Sequence, residues 1–174
     1  MKDKAYIRGL LEYNAWANHD LFDKVFQIPP EEVIKPREAN LESISVNLHH
    51  LLVIDRIWLA HMEKRDHGYS DRRGDAYDTL DELWDERQKT DARLITYLEE
   101  LAPEELEESI DYQLIGSTNG ALSRSMCFTH IVIHGAYHRG WITDMFAQAK
   151  EKTPIADLPV YERVIREQKL TPLP

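Results

Sequence analysis

The chain is short of the residues that staple, anchor or bind phosphate. Its 174 residues include one cysteine, Cys127, which excludes an intramolecular disulfide and any zinc site built on several thiolates. No apolar run approaches the ~18 residues that a membrane-spanning helix needs. Met1-Lys2-Asp3-Lys4 lacks the apolar segment of a signal peptide, so a cytoplasmic location is expected, with no membrane partner. Cations are also scarce: 21 Lys and Arg stand against 31 Asp and Glu, a net charge of -10. Nucleic acid is bound through clusters of Lys and Arg, so no nucleic-acid partner is expected. Gly-rich phosphate loops, His-Glu-x-x-His and Gly-x-Ser-x-Gly are absent. So is Glu-x-x-His, whose absence argues against a carboxylate-bridged di-iron bundle.

What is present is helical. The length suits one domain, 1–174, with a sizeable core. Four long segments carry apolar residues at helical spacing. The first runs from about Asp3 to Gln27, where Pro29-Pro30 ends it. The second runs from about Ser43 to Lys64 and places His50 on its inner stripe, where an apolar residue belongs. A charged, Gly-containing loop follows, from Asp66 to Asp78. The third helix begins at Thr79-Leu-Asp-Glu82, which reads as a capping box, and ends before Pro103. Gly116-Ser-Thr-Asn119-Gly120 is turn chemistry, and its flanks Tyr112, Leu114 and Ile115 suit a short extended piece or hairpin. The fourth helix runs from about Leu122 to Ala149, and a short helical piece near Val160 to Gln168 packs across the bundle. Four long helices with one apolar stripe each predict an all-α, four-helix bundle.

The chemistry sits on the fourth helix. His130-Ile-Val-Ile-His134-Gly-Ala-Tyr-His138-Arg-Gly spaces three histidines four residues apart, so all three share one stripe. Adjacent members can reach one ion; His130 and His138, ~12 Å apart along the axis, cannot. The set therefore calls for two ligands from this helix and at least one from elsewhere, and His50 supplies a third nitrogen. Burying several imidazoles together costs their desolvation unless something satisfies them, and a metal does so, since neutral imidazole suits Zn, Ni, Fe and Cu. Three protein ligands leave positions open for water or substrate, the arrangement of a catalytic site. The competing reading is a polar histidine ladder in the bundle core.

Other residues are assigned lesser parts. His49 lies about 100° around the helix from His50 and cannot face the same ion well. Asp55, five residues after His50, points toward a surface or inter-helix salt bridge. Arg139 either anchors an anionic substrate or pairs with a carboxylate. Asn14, Trp16 and Asn18 sit among apolar neighbours, and a buried Asn needs hydrogen-bond partners, so a bracing or pocket-lining part is expected. Cys127, Tyr137 and Trp141 are read as packing. No acid or base stands out beside the histidines.

Taken in order, these pieces resemble the DinB-like (DinB/YfiT) family of metal-dependent proteins. Tyr13-Asn14-Ala15-Trp16-Ala17-Asn18 is similar to its first-helix pattern. His50 followed by Asp55 and Trp58 matches its second-helix pattern, His130 to Gly140 its last-helix signature, and Asp157-Leu-Pro-Val-Tyr161 its tail. The resemblance implies an up-down-down-up bundle, a homodimer, and a divalent metal, Zn or Ni most often, held by His50, His134 and His138, with His130 behind the ligands or in the core. It also implies a metal-dependent enzyme of thiol S-transferase type, taking a small-molecule thiol and an electrophile. The alternatives are a metal-dependent hydrolase on the same site and a non-catalytic, stress-associated metal-binding protein. Trp141 stands where the family often has glutamine, and Tyr137 where a histidine is common, so this chain departs from the family's pattern beside the expected ligands.

Overall fold

A computed structural model describes residues 4–74, 77–116 and 119–170, apart from the side chains of 166 and 168–170. Four long helices make the bundle: α1 (Lys4–Val25), α3 (Ile44–Met62), α4 (Leu80–Glu100) and α5 (Arg124–Gln148). A short α2 (Pro30–Ile34) bridges α1 and α3, a 3-10 turn (Pro103–Glu107) and an antiparallel hairpin, β1 (Ser109–Gln113) with β2 (Asn119–Ser123), lead into α5, and α6 (Leu158–Leu170) follows it. Each of α1 and α3 packs against both α4 and α5. None of the described helices is long and apolar enough to cross a membrane.

Local chemistry explains the boundaries. Ser43 caps α3 by accepting from the Val46 amide at 3.2 Å, and Ser123 caps α5 through the Met126 amide at 3.3 Å. The capping box expected at Thr79 forms in full: its hydroxyl accepts from the Glu82 amide, and the Glu82 carboxylate accepts from the Thr79 amide. Two expectations need correction. Pro29-Pro30 does more than end α1, because Pro30 also opens α2, where a missing N–H does no harm. The last helix starts at Arg124 rather than Leu122, because Leu122 is paired with Ile110 in the hairpin.

Apolar residues gather into two cores along the bundle axis. One holds Ile7, Leu11, Trp58, Leu98, Phe128 and Ile131. The other holds Leu21, Phe22, Leu48, Leu52, Ile142 and Phe146. Cys127 packs in the first, and burial pushes its thiol up to about 11, which keeps it protonated. Between these cores every long helix contributes buried polar side chains: Asn14 and Asn18 from α1, His50 and Asp55 from α3, Arg87 and Asp91 from α4, His138 and Arg139 from α5. Such a layer costs desolvation on four helices at once, and its position fixes where the chemistry lies.

Candidate metal centre

α3 and α5 lie side by side, and their register brings His50 level with His134 and His138. The ring centroids are 5.1 Å apart for His50 and His134, 4.5 Å for His50 and His138, and 4.4 Å for His134 and His138. One nitrogen from each ring lies within 4.8 Å of the other two, a set that could hold a metal ion. His50 Nε2 and His134 Nε2 approach to 3.2 Å. Tetrahedral zinc with Zn–N of about 2.1 Å places its ligand nitrogens about 3.4 Å apart, so the donor set fits a divalent cation in size and chemistry.

Two of the three rings are oriented from behind. His50 Nδ1 faces the Arg72 carbonyl oxygen at 2.9 Å. That contact makes Nδ1 the protonated nitrogen and leaves the Nε2 lone pair facing His134. His138 Nδ1 faces Asn47 Oδ1 at 3.4 Å. The Asn47 amide nitrogen is committed to the carbonyls of Leu41 (3.0 Å) and Ser43 (2.9 Å), so only its oxygen can turn to the imidazole. His134 is the exception: its buried Nδ1 has no hydrogen-bond partner among the described residues. The Arg72 loop is itself held onto α3. Gly74 has φ +67, and a Cβ there would run into the Val53 side chain.

Electrostatics keep the rings neutral and ready to ligate. Burial lowers the His134 pKa to about 2, helped by the neighbouring His138, His50 and His130. Burial, then His50, lowers His138 to about 4, and burial lowers His50 as well. No carboxylate joins this group among the described residues.

The other histidines are placed elsewhere. His130 lies outside the cluster and packs on Trp58, with centroids 4.6 Å apart. His49 is satisfied by itself: Nδ1 meets the Ser45 carbonyl at 2.8 Å and Nε2 accepts from the Tyr77 amide at 3.1 Å. Asp55 is a buried inter-helix partner rather than a surface one, bound by Arg87 at 2.8 Å, while Arg87 also donates to Asp91 at 2.7 Å. Asn18 donates to both Asp91 oxygens at 3.1 Å. Arg139 forms no salt bridge with a carboxylate among the described residues. Its Nη1 donates to Asn14 Oδ1 (2.8 Å) and Asn18 Oδ1 (2.9 Å), which is the bracing expected of those two asparagines. Trp16 packs against Tyr13 and Tyr161. Tyr137 is not packing in the ordinary sense, being 57% exposed. Sequence reasoning missed Asn47 and Arg72. An Asn on the inner stripe of α3 was a usable signal, but a backbone carbonyl acting on a histidine leaves none.

The DinB family model matches residues 1–170. The chain belongs to the DinB family. It is also 27% identical to Protein DinB of Bacillus subtilis (strain 168), over 97% of this chain and 99% of that protein. The crystal structure of a DinB-like protein from Bacillus cereus ATCC 10987 superposes with a TM-score of 0.65 at 15% identity, covering 83% of this chain and 91% of that one. At that identity the likeness speaks for the fold, a mostly helical bundle.

Proposed function

We propose that this DinB-family protein is a metal-dependent enzyme whose ligands are His50, His134 and His138, and that it transfers a small thiol to an electrophile. The observation that carries the reading is the convergence of three neutral imidazole nitrogens within 4.8 Å, with no fourth protein ligand among the described residues. Zinc or nickel suits such donors. A divalent cation held there supplies one thing, a lower pKa for a coordinated thiol or water.

The chain's own residues do the rest. The Arg72 carbonyl and Asn47 Oδ1 fix the tautomers of His50 and His138, so that both Nε2 lone pairs face inward. Apolar cores lie on either side of the histidine layer, where His50 and His138 are buried and His134 is half-buried. In the net reaction the thiol loses its proton to solvent, and the sulfur forms a bond to the electrophilic carbon. The leaving group departs with its electron pair, or an unsaturated acceptor takes up a proton instead. A thiol suits this site better than water does. Its ordinary pKa of about 8.5 needs only modest lowering, whereas a hydrolase calls for a general base and no carboxylate joins the three histidines among the described residues. That same lack of an acid or base favours the second reading, a metal-binding protein without turnover. The reading also includes a homodimer.

The test uses cobalt-loaded protein titrated with cysteine methyl ester and followed by sulfur-to-cobalt charge-transfer absorption, then assayed for consumption of thiol with iodoacetamide. Saturable absorption with turnover above the uncatalysed rate supports the transferase. Saturable absorption without turnover supports the non-catalytic reading, and no absorption sinks the thiol altogether. Sedimentation of the same sample reads the dimer.

A further inference from the structure

The stripe of α5 that carries His134 and His138 continues to Trp141, seven residues after His134 and so on nearly the same face. The Trp141 and Tyr137 rings each lie 5.2 Å from the His138 ring, and 5.1 Å from one another. Tyr137 meets His138 at 89° and Trp141 meets it at 61°, so both contacts are edge-on. Tyr137 is 57% exposed, and Trp141 is half-buried. Ile133, one turn before Tyr137, extends the same apolar surface outward at 63% exposure. Other exposed apolar residues, such as Tyr6 on α1, Ile34 on α2 and Ile155 between α5 and α6, lie elsewhere, and scattered single residues of that kind need no explanation. Among the described residues, Tyr137 and Trp141 are the non-histidine rings in contact with an imidazole of the candidate centre.

Charge narrows the occupant. No carboxylate joins the three histidines among the described residues, so a cation there keeps its charge for an electron-rich donor atom such as a thiol sulfur. The aromatic pair beside it offers no charge at all. It offers flat, polarizable surface, which favours another π system in offset or edge contact. A small polar electrophile would leave that surface wet, and a flat conjugated one would cover it.

We infer that the electrophile is a flat, conjugated molecule that stacks on Trp141 and Tyr137 beside the three histidines. This rests on the metal-dependent transferase reading, and it names the class of the second substrate. Trp141 is then a specificity-determining residue, and the ring beside the reacting centre sets which electrophiles gain near-attack geometry.

The experiment uses two unreactive probes of matched size, nitrobenzene and nitrocyclohexane, titrated by ligand-observed NMR. The proteins are zinc-loaded wild type, Trp141→Ala and Trp141→Phe, each also run after chelation. The expected result is tighter binding of nitrobenzene than of nitrocyclohexane by wild type. Trp141→Ala should weaken nitrobenzene about three- to tenfold, and nitrocyclohexane less, with most of the loss restored in Trp141→Phe. Zinc content should stay the same in all three. Equal affinity for the two probes, or a nitrobenzene affinity unmoved in Trp141→Ala, overturns the inference. So does a dimer-to-monomer change in Trp141→Ala with probe binding intact, because the surface would then belong to a second copy. The chelated series keeps the two ideas apart. A wild-type-to-variant ratio that survives chelation supports the aromatic surface whatever becomes of the metal, while failure of the cobalt titration counts against the transferase alone.

Discussion

Two buried polar clusters share the middle of this bundle, and they treat their polar atoms differently. Around Arg87 the charges answer one another. Arg87, 2% exposed, binds Asp55 and Asp91, Asn18 binds Asp91, and Arg139 ties Asn18 to Asn14. Around His134 the donors point at each other instead. Two Nε2 atoms lie 3.2 Å apart, and a buried Nδ1 has no partner among the described residues. The first cluster is a brace of ion pairs and amide bonds, and it still leaves Asp55 Oδ1, Arg87 Nε, and Arg139 Nε and Nη2 buried without a hydrogen-bond partner among the described residues. The second gathers three imidazole nitrogens within 4.8 Å of one another, and it is that donor chemistry, not a larger number of unpartnered atoms, that suits a metal ion.

The two clusters press against each other at Gly135. A Cβ there would stand 2.7 Å from Asn14 Oδ1 and 2.9 Å from Arg139 Nη1. The brace therefore reaches α5 between the two histidines, through a gap only glycine leaves open. The brace holds α5 while the rings stay free to face α3.

Breaking the brace should have the largest effect. Arg87→Ala leaves two buried carboxylates without their cation and should cost about 3–5 kcal/mol in denaturant unfolding, with zinc per folded chain unchanged. A cost below about 1 kcal/mol would mean that the cluster is hydrated rather than dry. Next comes the orientation of the ligands. Asn47→Leu removes the acceptor behind His138 and should weaken zinc binding about 10- to 100-fold, read by competition with a chromogenic chelator. An unchanged affinity would show that packing alone holds the ring.

The clusters should also differ in their response to pH. The folded pKa values of His134 and His138 are depressed, to about 2 and about 4. Below the ordinary histidine value near 6.5 the unfolded chain takes up protons that the folded one refuses. Metal-free protein should therefore lose stability as pH falls from about 6.5 toward 4. Asp55 acts with the opposite sign. Burial raises it to about 6 against the pull of Arg87, so its contribution is present at low pH and fades as pH rises through 6. The His134→Ala variant should flatten the acid limb of a denaturant-midpoint titration, and an unchanged limb would remove the histidines from the explanation. The smallest effect belongs to His130→Ala, which should leave metal stoichiometry near one per chain, as read by elemental analysis.

Much of this was legible in the residues. Helical periodicity placed the four long helices, Thr79 and Glu82 announced a cap that forms, and Gly116 with Asn119 marked the hairpin. Pro30, read as ending α1, also opens α2, because one residue type both stops a helix and starts one. Spacing on α5 offered His130 with His134 as readily as His134 with His138. What separates them is the axial level of His50 on the neighbouring helix, a tertiary fact that no local pattern encodes. Family resemblance pointed to the second pair, and the geometry gathers that pair with His50. The brace was legible only in part: buried asparagines signal a need for partners, but Arg139 as the partner follows from packing α1 on α5.

The most direct test is metal content by mass spectrometry on untagged protein loaded with zinc and desalted, with wild type and His50→Ala measured side by side. A site spanning α3 and α5 predicts about one zinc per chain in wild type and little in the variant. No retained zinc in wild type, or equal zinc in both, would contradict it and leave the histidines as a polar feature of the core.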